Sequence, residues 1–363
     1  MRAVSRRAVG AVIRMIAICI WICGCSGSDV SSQSEAKSGT QASSAGDSSS
    51  SDTVLVTAWP LYDMTRIIAG DQFNVEPAVR VRPVAETSVS GTLQHSAAAA
   101  PATDSANAGN PVRAATQPVS RLWRPKVSDV RRMQNAVLIV MNGADYEPWQ
   151  QRVSLPRTRI LETTKDFQKE LIEIPDAVVH QHGPEGGHSH PGTVWATWLD
   201  PELAMRQSQQ IASSLVTRKP EHQQDFDTRA AQLQQQLKTL DDRIQQLTEK
   251  KLPEDFAVLG DGPYYQYLVR RLGWKFSYLH WPEAVQPVSD SDASSLKTQL
   301  NDKPSRLFLM MSGRDTAAEQ LAVSVGLRVV RIDLCETAEN QPRSFPERMQ
   351  ENLNRLADAV SDL

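Results

Sequence analysis

The chain has 363 residues, 40% of them hydrophobic and 22% charged, with a formal charge of −3. That is too long for a disulfide-stapled miniprotein and too apolar for a fully disordered chain, and the length predicts about two domains. A mean hydropathy of −0.39 with one short apolar run excludes a polytopic membrane protein, and 39 Lys+Arg against 42 Asp+Glu offer no electrostatic footprint for nucleic acid.

Arg2, Arg6, Arg7 and Arg14 precede an apolar run over residues 15–22 that ends in Ile22-Cys23-Gly24-Cys25. A positive start, a short apolar stretch and small residues at a cut site predict a signal peptide over residues 1–24. The tetrad resembles a bacterial lipobox, in which the last cysteine receives lipid; an ordinary signal peptide cut nearby is the alternative. Lipid on Cys25 would tether an exported domain to a membrane face. Removing residues 1–24 takes away four arginines and no acid, moving the formal charge from −3 to −7. Of Cys19, Cys23, Cys25 and Cys335, only Cys335 would then remain as a thiol, so the fold is expected to hold without a disulfide. Residues 25–52 are rich in Ser, Gly, Ala and Thr and predict a flexible tether. A second low-complexity stretch, about 85–120, contains His95 and reads as a disordered insertion.

Ordered sequence begins at Thr53-Val54-Leu55-Val56-Thr57, an apolar, β-branched run that predicts a buried strand. Residues 61–69 predict a helix closed by Gly70. Ser128-Asp129-Val130 marks another helix start, residues 136–141 a buried strand ending at Asn142-Gly143, and residues 159–161 a weaker strand. Asp200-Pro201-Glu202 sets a cap, an N1 proline and an early acid in order, predicting a helix as far as Arg218. From 221 to 250, Phe226, Ala230, Leu233, Leu237, Leu240, Ile244 and Leu247 recur at alternating spacings of four and three, which is one apolar stripe along a long helix. A coiled-coil seam and a rod lying across two lobes both use such a stripe; Pro220 before it and Pro253 after it favour the rod. Beyond it, residues 256–259, 276–279, 306–311 and 327–332 read as strands and 264–272 as a helix ending at Gly273. Met349, Leu353, Leu356, Val360 and Leu363 stripe a terminal helix. Continuous apolar strands alternating with helices indicate parallel sheets covered on both faces. The predicted class is α/β, with lobes at 53–219 and 253–363 joined by one long helix over 220–252.

Several segments carry a family resemblance. Residues 61–71, Asn142-Gly143-Ala144-Asp145-Tyr146-Glu147-Pro148-Trp149, Trp198-Leu199-Asp200-Pro201, residues 267–273, Val330-Arg331-Ile332-Asp333-Leu334 and residues 349–360 stand in the order found in the metal-binding solute-binding proteins of bacterial zinc and manganese ABC transporters. The chain resembles that family over residues 53–363. The resemblance implies two α/β lobes on one rigid helix (the cluster A-I type), a divalent metal held between the lobes, an ABC permease as partner, and no enzymatic activity. It also implies four ligands: two histidines from the first lobe, a histidine or glutamate, then an aspartate. The first should precede the helix start Pro125-Lys126-Val127-Ser128-Asp129, where this chain has Arg121, Leu122 and Trp123. The second position is Ala196, the third falls near Asp261 or Gly262, and the fourth is Asp333. Asp333 is thus the expected cleft ligand, and Asp261 a candidate second carboxylate for a hard or borderline cation.

The remaining donors are dense and local. His180, His182, His188 and His190 fall within eleven residues, resembling the His-rich mobile loop of zinc-specific members. In an extended segment residues two apart face the same side, so each His-x-His can chelate, and binding should weaken below the imidazole pKa of about 6.5. A solvated polar loop without a ligand is the alternative. His222 and His280 read as surface or packing residues, Asp145 and Glu147 as parts of a structural turn, and Tyr264, Tyr265 and Tyr267 as cleft lining or helix packing. No phosphate-binding glycine loop, nucleophile elbow or catalytic cysteine setting is present. The expected protein is an exported, lipid-anchored, monomeric solute-binding protein for zinc (manganese being the other candidate) that feeds an ABC permease. The alternatives are a family member without a cleft site that serves adhesion or ligand presentation, and a zinc chaperone acting through the histidine segment.

Overall fold

In the first sheet, strands β1 (Thr53–Val56), β2 (Asn74–Pro77), β3 (Leu138–Met141) and β4 (Ile160–Glu162) run parallel in the order β2-β1-β3-β4, with Val54 opposite Leu138 and Val140 opposite Leu161. The computed structural model describes residues 52–79, 120–181, 187–281, 288–302, 306–337, 343–361 and 363. The expected signal peptide, Cys25, the tether to residue 51, the insertion through residue 119 with His95, and His182 lie outside the described residues. β1 and β3 are buried because both faces of the sheet are covered, which is why they read as unbroken apolar runs.

Helices α1 (Trp59–Ala69) and α2 (Val127–Asn135) follow β1 and precede β3, and α3 (Pro201–Arg218) closes the first lobe. Asp200 caps α3 by accepting from the Glu202 N–H at 3.0 Å, as its sequence requires. Gly70 ends α1 with φ +59°, a conformation that disfavours any residue with a Cβ. Between β4 and α3, strands β5 (Glu173–Gln181) and β6 (Gly187–Thr193) form an antiparallel hairpin with an irregularity between Ile174 and Val178. The histidine segment, read from sequence as a loop, therefore has strand backbone on both sides of residues 182–186.

Helix α4 (Gln223–Thr248) is a single run of 26 residues, preceded by a 3-10 turn at Pro220–His222. Its predicted stripe is spent inside the chain: Phe226, Leu233, Leu237 and Ile244 are fully buried against neighbours on α1 and α3 on one side and α5 and α8 on the other. A coiled-coil seam would have left it exposed.

The second sheet comprises β7 (Val258–Gly260), β8 (Phe276–Tyr278), β9 (Leu307–Met311) and β10 (Arg328–Ile332), all parallel, in the order β10-β9-β7-β8. Its helices are α5 (Gln266–Leu272), α6 (Asp290–Asp302), α7 (Thr316–Ser324) and α8 (Phe345–Ala359). α5 starts two residues later than its sequence suggests, because Pro263–Tyr265 forms a 3-10 turn. Gly273, left-handed at φ +68°, ends it where expected. One apolar core runs without a break from Val54 and Leu138 through the α4 stripe to Val258, Leu309 and Leu353.

Candidate functional site

Both sheets are parallel, so the carboxyl ends of their strands and the loops that follow define the place for a ligand. On the first lobe that place is organised by the segment after β3. Gly143, Ala144 and Asp145 all have positive φ (+80°, +49° and +59°), and a Cβ at Gly143 would lie 2.3 Å from Thr164 Oγ1, so the turn demands glycine there. The turn swings Glu147 beneath it: Glu147 Oε1 accepts from Thr57 Oγ1 at 2.5 Å and from the Asn142 N–H at 2.9 Å, and Oε2 from the Gly143 N–H at 3.0 Å. Asn142 in turn donates to the Trp195 carbonyl at 2.9 Å and accepts from Gln207 at 2.9 Å. Glu147 is a buried structural acid, as its motif suggested, and Asp145 is exposed.

The same turn delivers Tyr146 to an aromatic cluster that bridges the lobes. Tyr146 lies 5.4 Å from Trp195 and 5.4 Å from Trp198 between ring centroids, and Trp195 lies 5.6 Å from Tyr264 of the second lobe. Trp198 adds a direct bond across, donating Nε1–H to the Leu334 carbonyl at 2.9 Å. Tyr264 and Tyr265 are thus buried lining; Tyr267 ties the lobes by accepting from the Ile172 N–H at 3.0 Å.

Each implied ligand position is occupied differently from a metal site. Arg121, in a 3-10 turn at Ser120–Leu122, places its guanidinium 4.5 Å from the Trp195 ring. Ala196 is fully buried and offers no donor side chain. At Gly262 a Cβ would meet the Tyr264 ring at 2.2 Å, so that position has no room for a ligand side chain. Asp261 is fully buried with both oxygens engaged: Oδ1 accepts from Tyr265 Oη at 2.7 Å, and Oδ2 from Arg314 Nε at 2.5 Å and the Met311 N–H at 3.1 Å. Asp333 meets Arg348 as a two-pronged pair, Oδ2 to Nε and Oδ1 to Nη2, both 2.7 Å, and Oδ1 also accepts from the Cys335 N–H at 2.8 Å. Asn352 clamps the Asp333 backbone through its N–H at 2.9 Å and its carbonyl at 2.8 Å. The structure therefore puts the two aspartates at the ends of strands in one sheet, yet gives each its own buried arginine.

One acid went unnoticed in the sequence. Glu336, three residues past Asp333, is partly exposed overall but buries Oε1 without a hydrogen-bond partner. Burial pushes its carboxyl up to about 7, opposed by the charge of Arg121 and by Tyr146. The Tyr146 hydroxyl is raised by burial and then by Glu336, and it too lacks a partner in hydrogen-bond geometry. Nothing in the local sequence distinguishes Glu336, because its significance lies in facing the other lobe.

The histidines outside the cleft divide. Backbone register sets His180 opposite His188 and Val178 opposite His190 in the β5–β6 hairpin, which brings positions 180, 188 and 190 to one end of one ribbon. His222, partly buried, lies beside Asp225 at 3.8 Å and Phe226 at 6.2 Å, and His280, exposed, beside Tyr278 at 5.3 Å. Among the described residues, no three His, Cys, Asp or Glu side chains converge on a metal position, and no helix is long and apolar enough to cross a membrane.

Residues 92–359 match the family model described as zinc-uptake complex component A, periplasmic. The iron-binding protein YfeA of Yersinia pestis is 26% identical over 182 residues, 47% of this chain and 52% of that protein, so the chain matches about half the length of this curated relative. Among solved structures, FpvC of Pseudomonas aeruginosa, a solute-binding protein in complex with Mn2+, superposes with a TM-score of 0.63 at 16% identity over 85% of this chain and 98% of that one. The metal-dependent lipoprotein YcdH of Bacillus subtilis gives 0.60 at 17% identity, again over 85% and 98%. A Zn(II)-bound point variant of AdcAII from Streptococcus pneumoniae gives 0.58 at 17% over 85% and 98%. At such identities the likeness is one of fold, two parallel α/β lobes on one long helix. The matching family and these neighbours are substrate-binding proteins rather than enzymes.

Proposed function

The chain belongs to the periplasmic zinc-uptake complex component A family, the metal-binding solute-binding proteins of ABC import, and from that premise we propose that it captures a divalent metal, zinc foremost, on the β5–β6 histidine hairpin. It works outside the cytoplasm, held to a membrane by lipid on Cys25, and passes the metal to an ABC permease. Manganese is the other candidate cargo.

The observation that carries this reading is the contrast between the two donor sets. Asp333 and Asp261 have their lone pairs engaged by Arg348 and Arg314, so recruiting either to a metal would break a buried ion pair. The hairpin offers donors of another kind: imidazole is a borderline donor suited to zinc, and backbone register sets positions 180 and 188 opposite one another with 190 next but one to 188. A ribbon that must order around its ion binds more weakly than a preformed four-ligand cleft. A second reading, a scaffold for adhesion or ligand presentation, draws on the same engaged aspartates. It gains force only if the hairpin proves silent.

Competition titration of zinc into the exported chain decides it. Replacing His180, His182, His188 and His190 together by alanine should abolish most binding, whereas Asp333→Ala should leave affinity within a few-fold of wild type. Binding should also weaken as pH falls through about 6.5, where imidazole protonates. Tight one-to-one binding that survives the histidine replacements and is lost with Asp333→Ala would return the metal to the cleft.

A further inference from the structure

The interlobe cleft contains a feature that metal capture on a hairpin does not use. Arg121 comes from the first lobe and sits against Trp195 at 4.5 Å. Its charge is felt by groups on both sides of the cleft: Tyr146 of the first lobe, and Tyr264 and Glu336 of the second. Tyr146, Trp195 and Tyr264 are between 0% and 4% exposed, so the partly buried guanidinium lies over the Trp195 ring beside a buried aromatic cluster. A cation over π-faces, with a carboxyl group within electrostatic reach, is in a favourable field, and the same field would be unfavourable to a second cation beside it.

We propose that Arg121 is the resident cation of this cleft and a specificity determinant that excludes divalent metal from it: in the sequence it is one of three residues, with Leu122 and Trp123, at the place the resemblance gives the first histidine, and the lobes close on the chain's own positive charge. Arg314 and Arg348 complete the device by holding Asp261 and Asp333, the two carboxylates an entering metal would otherwise recruit. The three arginines together convert a metal cleft into a self-satisfied one. The inference rests on the hairpin reading only in that both assign cargo elsewhere, and the two can fail separately.

The test uses the full exported chain with all four hairpin histidines replaced by alanine, titrated with zinc alone. In that background Arg121→Gln should raise the residual zinc affinity several-fold, since a positive charge has left the cleft, while Arg121→Lys should leave it unchanged because the charge remains. No gain in Arg121→Gln overturns the proposal, and so does an equal gain in Arg121→Lys, which would make the arginine a matter of packing alone. If Arg121→Gln does not give a folded protein by circular dichroism, Glu336→Gln carries the test. Losing the facing carboxyl should loosen the guanidinium from its rings and shift tryptophan emission to the red; unchanged emission overturns the proposal. Native affinity retained by the histidine-free parent would sink the hairpin reading by itself, and the comparison of glutamine with lysine at position 121 would still decide this one.

Discussion

A single buried acid shows how the first-lobe turn is held. Glu147 satisfies the Thr57 hydroxyl and two backbone N–H groups; the hydroxyl has the Val140 carbonyl as a second acceptor at 3.2 Å, so Glu147→Ala would strand the two N–H donors, at about 1–3 kcal/mol for each that stays buried without water. Burial raises its carboxyl from 4.5 to about 7 despite those three bonds, with Glu162 of β4 adding like charge. The folded chain therefore holds this proton more tightly than the unfolded one. Its contribution to stability is whole below about 4.5 and is lost as pH rises through about 7, on the order of 3 kcal/mol in all. Glu147→Gln cannot titrate. In urea unfolding, the wild-type midpoint should accordingly fall relative to that of Glu147→Gln between about pH 5 and about pH 8, and parallel curves would show that the acid keeps an ordinary pKa. The turn motif already marked Glu147 as structural. What it could not mark was the arginine partner of each cleft aspartate, because Arg314 is 53 positions from Asp261 and Arg348 is 15 from Asp333.

At the level of elements, α3 and α4 were plain in the sequence because cap, stripe and proline boundaries all agreed. β2 was not: Asn-Val-Glu-Pro has no apolar run, and as an edge strand it covers little core. α6 escaped for a related reason, since among its polar residues only Leu296 is fully buried. Legibility followed burial. The α4 stripe allows a direct check of that statement. Leu237 is fully buried and Gln236, its neighbour, is exposed. Leu237→Ala should lower unfolding free energy by about 2–5 kcal/mol, whereas Gln236→Ala should change it by less than about 0.5 kcal/mol. Chemical denaturation with an unchanged slope would assign the difference to the cavity rather than to altered compactness.

For the molecule as a whole, the α/β class, the two parallel sheets and the linking helix followed from apolar runs and periodicity, whereas the rewiring of the cleft required the lobes to be brought together. Because the stripe of α4 is consumed within the chain, α4 leaves no apolar seam to pair with a second copy. The protein should sediment as a monomer at micromolar concentration; a dimer that dissociates when Leu237 and Leu240 are made polar would contradict this. The continuous core has a mechanical consequence as well. α4 contains no glycine or proline between Gln223 and Thr248, and it is gripped along its length by helices from both lobes. Such a beam has no soft point at which to flex, and swinging the lobes apart would tear apolar contacts on both of its sides at once. The β5–β6 ribbon pairs with neither parallel sheet, so a shift of it would leave this beam unbent.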